Sequence, residues 1–396
     1  MRTLDLYILR RVLWPLSAAL AITVCALLLE RLVRLLDLFV DKGGPLSLIV
    51  QMLTNLVPQY LGIALPAAFF VAVLVAVLRM SQTSEAQAIQ AAGVSLWRLI
   101  APIMALAIVL STCSAVTVNY LQPYTHYAYR ALIFTVTRTA WNAAVQSGAF
   151  FEGFADTTAL VDGVDRDGSG LRGLFAYRET PSGQSVIVTA ERGRLHAAGN
   201  DRSLFLRLSD GVRARSAPDN KPMDAVRFDQ FDLPLDVAFG GKSFHARGLD
   251  EEELTLPELW AARNHPPSGS STALIWAEIS HRLVRTLSIL ALPFLAVSLG
   301  IASRRERKSL TVGVGLVLLV LYHYVLQLGY GFAGIGRISP AVGLWLPFAI
   351  FTLGSLWAFS AAGRRPEGNL LSDTLIRLEA ALRLGGRRRE WQRGTG

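Results

Sequence analysis

Six long apolar stretches, at about residues 12–37, 50–79, 96–120, 273–302, 309–330 and 341–361, dominate the pattern of the chain. Each reaches the roughly 20 mostly apolar residues that a helix needs to cross a hydrocarbon core of about 30 Å. Between the third and fourth stretches the period changes. The strings SVIVTAERGRLHA, SLFLRLSDGVRARS and AVRFDQFDLPLDV alternate apolar and polar positions, with breaks at Gly199–Asp201 and Pro218–Lys221. Period-two runs bounded by Gly, Pro, Asn and Asp are strand signals, and several in succession suggest a β-sandwich or jelly roll. Tyr124–Ala144 reads as a helical continuation of the third span. Leu256–Arg263 reads as a short helix beginning near Thr255 and Pro257, followed by a Pro/Ser/Gly linker. The layout is three spans, a β-rich insert, then three spans.

Composition agrees with a bilayer: 52% of residues are hydrophobic, the mean hydropathy is +0.38 and only 17% are charged. The first span is too long for a cleaved signal peptide and no small-residue cleavage site follows a short apolar core, so a retained anchor is expected. The net charge of +9 changes the picture through its distribution. Arg10, Arg11, Arg79, Arg98, Arg304–Lys308, Arg364, Arg365 and Arg387–Arg389 all fall on one side of a six-span chain, and the short opposite loops hold mainly Lys42 and Arg337. The positive-inside rule then places both termini in the cytoplasm and the insert outside it. The same loops offer no folded basic face with stacking aromatics, so nucleic acid is not a partner. The tail after Gly363 is basic and partly helical, and suits a place beside anionic headgroups.

The residue types needed for catalysis are missing or misplaced. Phe239–Ser243 (FGGKS) resembles the end of a phosphate-binding loop, but Asp236 stands where the first glycine of that motif belongs, so the string reads as a turn. There is no nucleophile elbow and no Glu-and-His zinc helix. Asp250–Glu253 reads as a solvated run of carboxylates. Cys25 and Cys113 lie inside apolar spans, and the six histidines show no ligand spacing, so neither a disulfide, a metal site nor a cofactor is expected. The chain is not expected to be an enzyme.

Ser81–Ser95 is the most informative segment: a short polar helix between two spans, on the cytoplasmic side. Helix propensity is good over Glu85–Ala92, and Gly93 can close the helix in a left-handed conformation. Ala86, Ala88, Ala91 and Ala92 give a low-relief surface suited to a groove on a partner. Simple loop capping, with Glu85 placed favourably near the helix start, explains the same residues. A second constellation is Glu30, Arg31, Arg34 and Asp37. Glu30 and Arg34 are spaced to pair within one helix, and the two arginines equally suit phosphates at headgroup depth.

SEAQAIQAAGVS, preceded by the span LPAAFFVAVLVAVLRM, resembles the LptF/LptG permease family of the lipopolysaccharide-export ABC transporter. Ser84, Glu85, Ala92, Gly93, Val94 and Ser95 match the family's Ser-Glu followed by an Ala/Cys-Gly-Val/Leu-Ser turn, and ERLVRLLD looks more like the LptF member than LptG. The resemblance covers nearly the whole chain. It implies a polytopic α-helical membrane protein with six transmembrane helices and an inserted periplasmic β jelly-roll-like domain. Its parts would be residues 1–121 (spans one to three with a coupling helix at 81–92), 122–271 (periplasmic domain), 272–363 (spans four to six) and 364–396 (cytoplasmic tail).

The function so implied is a permease subunit that extracts lipopolysaccharide from the inner membrane and passes it to a periplasmic bridge toward the outer membrane. ATP hydrolysis would be supplied by a separate ATPase subunit. Glu85, Ser84 and Gly93 would couple to that ATPase, with help from the loop Ser303–Ser309, and Arg31 and Arg34 would bind the phosphorylated headgroup. Implied partners are a paralogous permease subunit in a heterodimer, a cytoplasmic LptB-like ATPase dimer, LptC/LptA-like single-span and bridge proteins, and lipopolysaccharide. Pro58 and Pro66 are expected to kink or interrupt the second span and Pro293 the fourth, and Gly313 and Gly315 to let helices approach. Weak contacts between the first and fifth spans would make a lateral gate. The competing classes are an ion-coupled secondary transporter, which would want midplane carboxylates, and a membrane adaptor with a β ectodomain.

Overall fold

The computed structural model describes residues 2–42, 46–146, 151–154, 157–164, 170–179, 185–198, 203–216, 222–234, 247–267, 270–302 and 308–364. The FGGKS string, residues 303–307 of the loop between the fourth and fifth spans, the breaks at Gly199–Asp201 and Pro218–Lys221, and the tail beyond Arg364 lie outside them. Helix α1 (Arg2–Lys42) is followed by α2 (Leu46–Gln82), the short α3 (Glu85–Ala91) and α4 (Leu96–Val116). A π turn at Thr117–Leu121 carries α4 without a break into α5 (Gln122–Gln146). Six strands follow: β1 (Phe151–Phe154), β2 (Thr157–Val164), β3 (Gly170–Glu179), β4 (Ser185–Ala198), β5 (Ser203–Ser216) and β6 (Pro222–Pro234). Helices α6 (Leu256–Ala262), α7 (Thr272–Ala302), α8 (Lys308–Gly334) and α9 (Leu346–Arg364), the last entered through a π turn at Ala341–Trp345, complete the chain.

Six helical stretches are long and apolar enough to cross a membrane: Thr3–Leu36, Ser47–Gln82, Leu96–Ile133, Thr272–Ile301, Thr311–Gly334 and Ala341–Gly363. The six expected spans are all among them. The chain divides into two compact units. One comprises Met1–Arg31, Asn55–Thr125 and the described residues from Asp250 on; the other comprises Leu32–Thr54 and His126–Leu249.

In the first unit α2 and α7 form the centre. Their most apolar windows are 67% and 72% buried, against 11% for α1 and 17% for α8. Phe69, Phe70, Val73, Leu74 and Val77 on α2 pack with Ile289, Leu292, Ala296 and Leu299 on α7. The outer helices instead turn large apolar residues outward, such as Ile22 and Leu29 on α1 and Val317 and Leu321 on α8, which is the pattern of surfaces that face acyl chains. Pro58 and Pro66 sit inside a continuous α2, and Pro293 inside a continuous α7. The interruption is therefore not seen, because neighbouring helices and side chains stabilise a proline-bearing helix in a bundle.

Of the glycine pair expected to allow close approach, Gly315 does so: a Cβ there would lie 3.0 Å from Leu74 Cδ2 and 3.2 Å from the Phe70 ring, whereas Gly313 faces open space. A tighter approach joins Gly329 of α8 to the π turn before α9, where a Cβ would fall 1.9 Å from the Gly343 carbonyl oxygen. Hydroxyls within the spans bond to backbone carbonyls, as Ser111 Oγ does to Thr286 O at 3.0 Å.

At one end of α7 a buried ion pair replaces an expected solvated patch. Arg282 Nε donates to Glu278 Oε1 at 2.6 Å, and its two other nitrogens donate to Leu254 O at 2.7 Å and Glu251 O at 3.1 Å. Asp250, Glu251 and Glu253 are buried, and Ser270 Oγ donates to Glu251 Oε2 at 3.0 Å. The reading of Asp250–Glu253 as a solvated carboxylate run is thus wrong. The 3₁₀ turn at Glu251–Glu253 is drawn in because a guanidinium takes up its free carbonyls. Just beyond it, α6 begins as expected, with the Thr255 N–H donating to Glu258 Oε2 at 2.7 Å.

In the second unit the strands run in the consecutive order β1-β2-β3-β4-β5-β6, every neighbour antiparallel. Leu174 opposite Ala190 and Ala176 opposite Val188 put four buried apolar residues on one face, while Phe175 and Thr189 alternate to the other. Arg207 and Asp232, directly opposite across β5 and β6, pair through two bonds of 2.8 and 2.9 Å and help to fix the register.

Candidate functional site

The segment between α2 and α4 is built by two breaks. Thr83 Oγ1 donates back to Arg79 O at 3.1 Å, and Ser84 adopts φ 59°, so the chain leaves α2 at Gln82 and restarts at Glu85. The helix expected over 81–92 therefore covers Glu85–Ala91 only; Ser81 and Gln82 belong to α2. Its end is as expected. Gly93 has φ +85°, its N–H donates to Gln90 O at 2.9 Å, and the Val94 N–H reaches Ile89 O at 3.3 Å, the paired bonds of a Schellman stop. Ser95 Oγ then accepts from the Arg98 N–H at 3.3 Å and starts α4.

Two faces result. Ala86 is buried with Ile8, Val12, Met80 and Leu96, so it belongs to the bundle and not to the low-relief outer surface on which it was expected. Gln87, Ala88, Ala91, Ala92 and Gly93 are exposed and leave a shallow, nearly uncharged surface.

Glu85 makes contacts that its position at a helix start does not announce. Its Oε2 accepts from the Tyr7 hydroxyl at 2.7 Å and its Oε1 from Arg11 Nη2 at 3.0 Å; the same Arg11 nitrogen donates to the Tyr7 hydroxyl oxygen, and the guanidinium lies 4.9 Å from the Tyr7 ring centroid. The Tyr7 hydrogen bond, with smaller help from Thr83 and Arg11, holds the Glu85 carboxyl below its ordinary value of 4.5. Beside this cluster Asp5 Oδ2 accepts from Arg98 Nη2 at 2.8 Å. Sequence reasoning missed Tyr7, Arg11, Asp5 and Arg98 as partners, since the pairs are separated by 74 to 93 residues. The only local signal was a charged N-terminal turn ahead of the first apolar stretch.

Arg31 and Arg34 lie one helical turn apart on α1, Arg31 half-buried and Arg34 exposed. Glu30, Arg31 and Arg34 each have an interaction partner. From Ala21 to Arg34 no residue of α1 is buried. Asp37 lies on the same helix, and its side chain is outside the described residues.

Among the described residues no group of three or more His, Cys, Asp or Glu side chains is arranged to hold a metal. The site is a shallow exposed surface at one end of a helix bundle, tied to α1 by the Tyr7, Arg11 and Asp5 side chains.

Comparison with known proteins gives this architecture a context. The model of the family described as lipopolysaccharide export system permease LptF/LptG matches residues 6–361. The lipopolysaccharide export system permease protein LptF of Escherichia coli K12 is 22% identical over 342 residues, covering 86% of this chain and 89% of that protein, and LptF of Shigella flexneri gives the same figures. Both relatives are the LptF member, to which ERLVRLLD pointed. With six apolar spans, a β insert between the third and fourth, and a family match from the first span to the last, the chain belongs to the LptF/LptG family, the permease components of lipopolysaccharide export.

Proposed function

We propose that this permease is driven in trans by a cytoplasmic ATPase dimer that seats against the Ser84–Gly93 segment, and that it lifts lipopolysaccharide from the inner membrane as one half of a heterodimer with a paralogous permease. The observation that carries the reading is the exposed surface of Gln87, Ala88, Ala91 and Ala92, closed by Gly93 and flanked by the one-third-exposed Glu85 carboxylate. A strip with so little relief and charge fits a groove and has little use as a mere connector. Glu85 supplies the polar contact at its edge, and Ser84 and Gly93 supply the two left-handed residues that bound the segment. The chain itself performs no hydrolysis on this reading.

Both termini lie in the cytoplasm and the insert of residues 122–271 in the periplasm, the orientation favoured by the concentration of Arg10, Arg11, Arg79 and Arg98 at one end of the spans. The β insert hands the lipid to single-span and bridge proteins of the LptC/LptA type. Its apolar face suits acyl chains, since burial of each methylene is worth about 0.8 kcal/mol. Arg31 and Arg34 contact the phosphorylated headgroup as it enters beside the first span, and the sparse packing of the upper part of α1 suits a lateral gate against α8.

The test is a complex co-expressed with its ATPase. Glu85→Lys is expected to insert normally and to lose ATPase copurification and hydrolysis; wild-type levels of both would contradict the docking role. Arg31→Glu with Arg34→Glu is expected to lower photo-crosslinking of lipopolysaccharide to the first span, and an unchanged yield would remove the headgroup role.

A further inference from the structure

We infer that the first turns of α1 are clamped to the ATPase-coupling segment through Tyr7 and Arg11 on Glu85 and through Asp5 on Arg98, so that α1 is the element that carries movement of that segment to the lipid side of the permease. The inference rests on the docking reading above and adds to it a mechanical path within this chain.

Two observations carry it. The first is how α1 is attached. Its fully buried residues in the first unit are Ile8, Val12 and Leu16, spaced by four in a stripe along one face, with Leu4, Ala19 and Leu20 partly buried beside them. The helix is thus held on one face, and Leu6, Arg10, Leu13, Trp14 and Ser17 on the other are exposed. Tyr7 and Arg11, also four apart, form a second line on the flank of that stripe, and both end on the Glu85 carboxylate. Asp5 heads the stripe and ends on Arg98, in the first turn of α4. The coupling segment is thus held at its first residue and just beyond its last by the same short stretch of one helix.

The second observation is what lies above. From Ala21 to Arg34 no residue of α1 is buried, and α1 is continuous helix throughout. From Arg11 to Arg31 is twenty residues, or about 30 Å at 1.5 Å per residue. A roll or tilt set at the clamp is passed along a stretch that has no buried residue of its own. The clamp side chains are about one-third exposed, with 32% and 31% for Arg11 and Glu85 and 39% and 34% for Arg98 and Asp5. Ion pairs this wet add little to stability. Their value is directional: they decide which way α1 faces when the segment below it moves. Tyr7, Arg11, Asp5 and Arg98 act through Glu85 and α1, so they are positioning residues.

The experiment uses the whole complex reconstituted in lipid vesicles, with ATP hydrolysis and lipopolysaccharide release measured in the same sample. The variant is Tyr7→Phe with Arg11→Gln and Asp5→Asn, which removes both ties of the clamp and leaves Glu85 and the exposed alanines in place. The expected result is an intact complex, near-normal hydrolysis, and lipopolysaccharide released per ATP reduced by at least about fivefold, the lower end of ordinary coupling between sites. Arg11→Lys, which still reaches a carboxylate, is expected to recover part of the ratio. An unchanged ratio would overturn the proposal. So would loss of the ATPase from the clamp variant, because the clamp side chains would then be part of the docking surface. Failure of the docking reading shows elsewhere, as normal copurification and hydrolysis by Glu85→Lys.

Discussion

Replacing Arg282 by alanine removes three charge-assisted bonds at once: to Glu278 at 2.6 Å, to Leu254 O at 2.7 Å and to Glu251 O at 3.1 Å. It also takes the guanidinium from a buried carboxylate and leaves Glu278 with the Tyr330 hydroxyl alone as a side-chain donor, where Glu278 is 7% exposed and Arg282 3%. Breaking a buried pair from one side costs about 3–5 kcal/mol, because the remaining charge has lost its compensation. The orphaned carbonyls of Glu251 and Leu254 add to this. For a chain of 396 residues the loss corresponds to a fall of roughly 4–6 °C in the unfolding midpoint. The assay is thermal unfolding of the detergent-solubilised complex, followed by monodispersity. Arg282→Lys is expected to fall between, because an ammonium cannot serve three acceptors held in a planar fork. The paired change Glu278→Leu with Arg282→Met removes both charges and is expected to recover much of the loss. A midpoint for Arg282→Ala within a degree of wild type would refute the reasoning, and would mean that the turn is held by other contacts.

Gly329→Ala puts a methyl group 1.9 Å from the Gly343 carbonyl, so α8 must separate from the turn before α9. The expected cost is about 1–3 kcal/mol or more, read in the same unfolding assay, and a neutral effect would show that this approach is not tight. Gly93→Val forces a β-branched residue into φ +85° and is expected to lower ATPase copurification more than Ala92→Val, which sits at an ordinary φ of −76°; equal effects would rule out backbone geometry as the reason. The clamp has a defined pH dependence. The Glu85 carboxyl is held below 4.5, so its contribution is complete above that pH and disappears as pH falls through the lower folded value. Spin labels at the exposed Leu6 and Gln87 should keep one narrow distance distribution from pH 8 to 5 and broaden only below 4.5, whereas broadening between pH 7 and 5 would contradict the assignment of the carboxylate.

What the sequence made legible was local. The spans follow from apolar length, α6 from Thr255, Pro257 and Glu258, and the stop after α3 from Gly93. Strands β4, β5 and β6 follow from their alternation, whereas β1, β2 and β3, with Leu174 and Ala176, were not singled out beforehand. The start of α3 was less legible because the break is made by Ser84 in a left-handed conformation, which a serine rarely adopts and local propensity does not favour. Ala86 looked like its fellow alanines, and only packing against Ile8 and Leu96 distinguishes it. The acidic run at Asp250–Glu253 looked solvated because the guanidinium that draws it in lies 28 to 31 residues further along. Tyr7 and Arg11 were invisible as partners of Glu85 for the same reason. Pair contacts over such separations leave no periodicity to read, whereas spans, strands and stops are written in their own residues.

The central claim is that a cytoplasmic ATPase pushes on the short helix between α2 and α4. Its most direct measurement is a photo-crosslinking scan of the assembled complex with a reactive residue placed at Ala88 or Ala91. The account predicts an adduct with the ATPase subunit from both positions and none from a residue on the lipid-facing side of α8, such as Val317. A complex that is active in lipopolysaccharide release yet gives no ATPase adduct from either alanine would contradict it.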